Sequence, residues 1–292
     1  MISRTPGFRI DGRTRVYAVF GHPVAHTASP AMQNAAFRAL GMNAIYVALD
    51  VAVADLPAAV AGVRAAGFAG VNLTIPLKEA AIPLVDRLSP EAAFCRSVNT
   101  LAIRGNRILG HSTDGTGLLC ALRKDLNFSP RGKRILLLGA GGAARAAAHA
   151  LARNGVRSIT IANRTLERAR RLAAALAGIF PGGAFPALSL ADAIRAEMTD
   201  LVVNATSLGM NGKTLPVDLK TLAGHPAVYD MIYRPSETPL LKTARTLGLP
   251  AVNGLEMLLH QGAAAFTIWT GRKAPIAIMR NALKDTLIQT NG

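Results

Sequence analysis

Short apolar runs alternate along this chain with longer stretches whose apolar residues recur every three or four positions. Arg15 to Phe20 (RVYAVF) predicts a strand that stops at Gly21-His22-Pro23. Ser29 to Leu40 predicts a helix, with Ser29 as N-cap and Pro30 at the first helical position. Ala44 to Leu49 reads as a second strand, and Asp55 to Ala66 as a helix closed by Gly67. Gly70 to Thr74 (GVNLT) is a third strand, ended by Pro76. This alternation predicts a mostly parallel, helix-covered sheet.

The pattern restarts at Arg134 to Leu138 (RILLL), a wholly apolar strand. It runs into Gly139-Ala140-Gly141-Gly142-Ala143-Ala144 and an alanine-rich helix reaching Asn154-Gly155. Ser158 to Ala162 is the next strand and Thr165 to Ala177 the next helix. Leu201 to Ala205, Ala227 to Met231 and Pro250 to Val252 are further strands. Helices over Leu255 to Trp269 and Ala274 to Ile288, with Pro275 in the first turn of the latter, close the chain. The fold class is therefore α/β with two units, joined near Ser112 to Gly117.

Composition narrows the function. The 292 residues suffice for two domains, and with 50% hydrophobic and 17% charged residues the chain is not disordered by composition. No uninterrupted apolar run reaches the ~18 residues of a membrane span. Cys95 and Cys120 cannot build a disulfide framework, so a reducing, cytoplasmic setting is expected. Met1 to Arg15 holds four arginines and no apolar segment, which argues against a secretory signal. Lysine and arginine outnumber acids 33 to 17, a net charge of +16. The basic residues are spread through alanine-rich helical sequence without interleaved aromatics. Solvated faces and an anionic ligand site are thus favoured over nucleic-acid binding.

The candidate chemistry is concentrated in loops. Between an apolar strand and a helix, the glycine-rich loop suits a dinucleotide pyrophosphate. Gly139 permits a tight turn, Gly141 lets the backbone approach, and the helix N-terminus attracts the anion. The following strand ends in Asn163-Arg164-Thr165, with Arg168 one turn on, where NAD sites carry an acid. Two guanidiniums and a hydroxyl there suit a 2′-phosphate, so NADP is expected. In the first unit, Thr27 and Ser29 offer two hydroxyls beside a helix N-terminus, and Lys78 follows a strand that should be buried. Ser97-Val98-Asn99-Thr100 adds an amide, and Asp114 adds a carboxylate just before a helix. Pro23 between His22 and His26 breaks any helical metal pair, and no metal site is expected.

Together these segments resemble the shikimate dehydrogenase family. The motifs are HTASPAMQN (26–34), NLTIPLKEA (72–80), SVNTL (97–101), STDGTG (112–117), GAGGAARA (139–146), NRTLERA (163–169), NATSLGM (204–210), YDMIYRPSETPLL (229–241) and NGLEMLLHQGAAAF (253–266). The resemblance implies a substrate domain over 1–113, completed by the C-terminal helices of 254–292, and a Rossmann-like NADP-binding domain over 114–253, with the active site in the cleft between them. It implies reversible NADPH-dependent reduction of 3-dehydroshikimate to shikimate, with Lys78 and Asp114 as the catalytic pair; the sequence leaves monomer and homodimer both open. Thr27 and Ser29 would hold the substrate carboxylate, with Thr74, Asn99, Tyr233 and Gln261 around the ring. Met231 and Gly254 would line the nicotinamide end. Gly139, Ala140, Gly141, Gly142 and Ala143 would hold the pyrophosphate, and Asn163, Arg164, Thr165 and Arg168 the adenosine phosphate. Thr27 stands where the family usually has serine, and Ser112 where it usually has asparagine. The sister quinate/shikimate enzymes and a basic nucleic-acid-binding regulator on the same fold are the alternative functions.

Overall fold

The computed structural model describes residues 10–195 and 198–289; the N-terminal arginines Arg4 and Arg9 and the chain end at 290–292 lie outside them. The chain forms two compact units, Met1–Thr113 with Gly262–Gly292, and Asp114–Gln261.

The first unit begins β1 (Arg15–Gly21), α1 (Ser29–Ala39), β2 (Ala44–Asp50), α2 (Leu56–Ala65) and β3 (Gly70–Leu73). It continues through α3 (Leu77–Ala80), β4 (Arg87–Leu88), α4 (Pro90–Cys95), β5 (Thr100–Arg104) and β6 (Arg107–His111). Its sheet has the order β2-β1-β3-β5-β6-β4. β1 pairs parallel with β2 and β3, whereas β5 runs antiparallel to both β3 and β6. The sheet is therefore mixed. The β5–β6 hairpin, turning at Gly105 with φ of 58°, was not read from the apolar pattern, its two strands meeting in the polar run Arg104-Gly105-Asn106-Arg107.

Strand alternation builds two apolar layers here. Ala18 and Phe20 join Leu56, Val60, Val63, Val71 and Leu73 in one buried cluster under α2. Tyr17 packs against Phe37 of α1 and Trp269, with ring centroids 4.8 and 5.2 Å apart. Trp269 also donates its indole N–H to the Leu101 carbonyl at 2.9 Å. Gly70 makes this stacking possible, since a Cβ on it would lie 2.3 Å from the Trp269 Nε1.

The second unit comprises α5 (Asp114–Leu126), β7 (Arg134–Leu138), α6 (Gly142–Arg153), β8 (Ser158–Asn163), α7 (Leu166–Ile179), β9 (Ala187–Ser189), β10 (Leu201–Asn204), β11 (Ala227–Asp230), α8 (Pro239–Thr246) and β12 (Ala251–Val252). Its six strands are all parallel, in the order β12-β11-β10-β7-β8-β9. The strand order reverses direction around β7, which puts the glycine-rich loop at the topological switch point.

α9 (Leu255–Thr270) contains the second division between the units, and α10 (Ile276–Gln289) returns to pack along α1. The sequence placed that division at 254, whereas residues 254–261 belong to the second unit. Close packing explains the difference. A Cβ on Gly117 of α5 would meet the Met257 carbonyl at 2.8 Å and Gln261 Cβ at 2.9 Å.

One helix start also differs. Ser29, the expected N-cap, is the first residue of α1; Ala28 occupies the cap position, and no side chain caps the helix. No described helix is long and apolar enough to cross a membrane.

Candidate functional site

In the first unit one edge of the sheet collects the chemistry. β1, β3 and β6 finish at that edge and antiparallel β5 begins there. The loops of Thr27–Ser29, Thr74–Lys78, Asn99 and Thr113 are consequently neighbours, although they span 87 residues of sequence from 27 to 113.

Polar side chains are buried along this edge. Ser29 donates its backbone N–H to Thr27 Oγ1 at 3.3 Å. Tyr46, 1% exposed on β2, donates its hydroxyl to Asn72 Oδ1 at 2.8 Å. Burial pushes the Tyr46 phenol well up from its ordinary range, against an opposing hydrogen bond with the Ser29 side chain. The Asn72 amide donates in turn to the Asn99 carbonyl at 3.0 Å and to Thr100 Oγ1 at 3.1 Å.

Asn99 is 2% exposed, and its oxygen accepts the Thr113 backbone N–H at 3.0 Å and the Thr100 hydroxyl at 3.0 Å. The backbone donor fixes which end of the amide is oxygen, so Asn99 presents its Nδ2 as a donor, held by Thr113 Oγ1 at 2.9 Å. Lys78 is half-buried on α3, and its carbonyl accepts the Val98 N–H at 2.9 Å, tying α3 to the segment leading into Asn99. Thr74 is held by its N–H to the Phe20 carbonyl at 2.9 Å.

In the second unit, every cofactor candidate read from the motifs also lies at a strand's carboxyl end or just beyond it. Gly139 follows β7 with φ of 110°, a backbone region that side-chain-bearing residues rarely adopt. Its N–H donates to the Ala162 carbonyl of β8 at 2.8 Å. Gly141 is the N-cap of α6, which has no side-chain cap, and nothing lies within 4 Å of the position a Cβ would take. Uncapped helix amides facing open space fit a pyrophosphate. Ala140 completes this turn, and Gly142 and Ala143 open the helix.

Asn163 ends β8 and donates from Nδ2 to the Thr165 carbonyl at 2.9 Å, shaping the turn into α7. Arg164 and Arg168 are exposed there and make no ion pair among the described residues. Two cationic side chains beside this turn suit an added phosphate. Met231 and Tyr233 follow β11, and Gly254 is buried ahead of α9. Burial raises the Tyr233 phenol, with Arg234 opposing. Asp114 is 4% exposed in the first turn of α5, where an acid complements the helix dipole. Gln261 is partly buried on α9 and donates its amide to the Leu258 carbonyl at 2.8 Å. No group of three metal-ligating side chains occurs among the described residues.

Sequence reasoning missed the residues that hold these loops: Tyr46, Asn72 and Thr113 in one unit, and Asn204, Asp230 and Thr238 in the other. A signal existed for three of them. Asn72 interrupts, and Asn204 and Asp230 end, an otherwise apolar strand, where an unpaired buried polar group costs ~2–7 kcal/mol. Tyr46 looks like any core aromatic until its hydroxyl partner is known.

One unit with an all-parallel sheet and a glycine-rich loop at its switch point, and another whose sheet edge carries hydroxyls, amides and a lysine, define a two-domain dinucleotide-dependent oxidoreductase. The chain matches family models for the shikimate dehydrogenase substrate binding domain over residues 19–101, for shikimate/quinate 5-dehydrogenase over 122–209, and for the shikimate 5′-dehydrogenase C-terminal domain over 254–284. It is 48% identical over 282 residues to the NADP(+) shikimate dehydrogenase of Geobacter metallireducens, covering 95% of this chain and 99% of that one. A shikimate dehydrogenase crystallised with NADP+ superposes with a TM-score of 0.87 at 38% identity, covering 95% of this chain and 97% of that one. The shikimate 5-dehydrogenase of Thermus thermophilus, solved with NADP(H) and shikimate, gives 0.81 at 40% identity, covering 94% and 100%. The chain belongs to the shikimate dehydrogenase family.

Proposed function

We propose that this protein catalyses the reversible, NADP-dependent interconversion of 3-dehydroshikimate and shikimate. The observation that carries the reading is the near full-length identity to the Geobacter metallireducens enzyme, which is named for that activity. We place it in the cytoplasm as a monomer or homodimer, acting on a small-molecule substrate and not on nucleic acid.

Thr27 and Ser29 are assigned to the substrate carboxylate, as paired hydroxyls at the start of α1. Asn99 is assigned to a ring hydroxyl, its amide held in place by Thr100 and Thr113. Thr74, Tyr233 and Gln261 complete the substrate contacts. The glycine-rich loop would hold the pyrophosphate, Arg164 and Arg168 with Asn163 and Thr165 the 2′-phosphate, and Met231 and Gly254 the nicotinamide end. NADPH, when bound, supplies the hydride.

Reduction of a ketone builds negative charge on oxygen. The Lys78 ammonium is assigned to stabilise that charge and to deliver the proton. Asp114 is assigned to orient the ammonium and a substrate hydroxyl, so that proton transfer follows a fixed geometry. In the oxidative direction Lys78 takes the proton from the substrate hydroxyl.

Steady-state oxidation of shikimate and of quinate, each with NADP+ and with NAD+, tests the proposal. A kcat/KM for shikimate with NADP+ well above the other three supports it. A higher value for quinate would reassign the substrate, and no turnover together with salt-sensitive binding to random duplex DNA would overturn it.

A further inference from the structure

Two strand-end residues of the second unit, Asn204 and Asp230, are 0% exposed and stand opposite each other in the β10–β11 register. Being fully buried, neither touches a bound molecule. Both nevertheless hold the loops assigned to one.

Asn204 uses its whole amide. Nδ2 donates to Asp230 Oδ1 at 3.0 Å and to the Leu208 carbonyl at 3.1 Å. Oδ1 accepts the Thr206 N–H at 3.1 Å and the Thr206 hydroxyl at 2.7 Å. Thr206 and Ala205 form the floor of the glycine-rich loop: a Cβ on Gly139 would lie 3.1 Å from the Ala205 oxygen and 3.2 Å from Thr206 Cγ2. On its other side, the Asn204 carbonyl accepts the Met231 N–H at 3.0 Å.

Asp230 secures the same turn. Its Oδ1 also accepts the Ile232 N–H at 3.1 Å, and its Oδ2 accepts the Thr238 hydroxyl at 2.7 Å. Thr238 caps α8 by accepting the Leu241 N–H at 3.3 Å, so α8 anchors the far end of the Met231–Ser236 loop.

We propose that Asp230, acting through Asn204 and the Ile232 amide, is a positioning residue that holds the pyrophosphate loop at Gly139 and the nicotinamide-end loop at Met231 in fixed register. This rests on the NADP reading of the site. A dinucleotide contacts both loops at once, so their spacing enters both its affinity and the aim of its reactive end.

The hydrogen bonds carry the effect, not the charge. Burial already pushes the Asp230 carboxyl above its ordinary range, opposed by Thr238, Ile232 and Asn204. An asparagine oxygen at this position can still accept from Ile232 and Asn204. Its amide nitrogen can donate to Thr238, whose hydroxyl reverses its direction.

The test is isothermal titration of NADP+ into wild type, Asp230→Ala and Asp230→Asn, alongside shikimate oxidation kinetics. Asp230→Ala should weaken NADP+ binding and lower kcat by ~10-fold or more each, with the shikimate KM within ~3-fold. Asp230→Asn should restore both to within ~3-fold. A folded Asp230→Ala protein with wild-type NADP+ affinity and kcat overturns the proposal, leaving Asp230 a structural residue only. Should that variant fail to fold, Thr238→Val and Thr238→Ser decide: valine must weaken NADP+ binding and serine must restore it. Wild type that binds NADP+ without oxidising shikimate refutes the substrate reading while the binding comparison still decides the role of Asp230. Wild type that binds no NADP+ removes both.

Discussion

The Gly254 backbone lies directly against the carbonyl of Met231: a methyl group on Gly254 would stand 2.1 Å from that oxygen and 2.6 Å from its carbon. Both residues are assigned to the nicotinamide end of the cofactor, and the Gly254 N–H donates to the Ile232 carbonyl at 3.2 Å. No side chain can rotate away to relieve the clash, because the opposing atoms are backbone. Gly254→Ala is therefore expected to lower stability by ~1–3 kcal/mol, read from urea unfolding, and to weaken NADP+ binding. Unchanged stability would mean that the loop moves freely, and the close approach would lose its significance.

Lys78 follows a fully buried strand and has its carbonyl tied to Val98. If its ammonium serves the developing alkoxide, the contact strengthens on the way to the transition state. Lys78→Ala should then lower kcat by at least ~10²-fold and move the shikimate KM far less. Circular dichroism checks that the variant is folded. A folded variant with near-normal kcat removes Lys78 from the mechanism.

Arg164 is exposed at the turn between β8 and α7, where an acid would repel a phosphate. Arg164→Ala should weaken NADP+ by ~1.5–3 kcal/mol, roughly 10- to 150-fold, and NAD+ much less. Equal losses for the two cofactors would show that Arg164 does not read the 2′-phosphate.

His111 ends β6 in the first unit, and burial lowers its imidazole below the ordinary histidine value, opposed by Glu91 and assisted by Arg104. The folded chain then binds the proton less readily than the unfolded chain. Its contribution to stability is complete above about pH 6.5 and declines as pH falls below that value. Thermal melts at about pH 7.5 and about pH 5.5 should show a larger loss for wild type than for His111→Asn. Equal losses would assign the acid sensitivity to other groups.

The local grammar of the chain was enough for the first strands and helices of the second unit, though not for β9 or α8. RILLL has no polar position and must be covered on both faces, and GAGG can only turn where backbone needs room, so β7, its loop and α6 were legible within twenty residues. Arg164 and Arg168 stand after β8 where the pattern of an NAD site would have an acid, and their part in binding is the proposed one. Ser29 misled for an equally local reason. A serine before proline at a helix start usually caps, but here the hydroxyl meets Tyr46 of β2.

Only the tertiary structure decided which polar residues meet. Asn72 reaches Asn99 and Thr100 because β3 and β5 pair antiparallel, and Asn204 reaches Asp230 because β10 and β11 pair in register at their last residues. Those partners lie 26 to 28 residues apart in sequence, and no local pattern encodes a strand register. The chain's own order thus determined which side chains stand at loop edges. Burial then required each polar one to find a partner, and the sheet decided which partner was within reach.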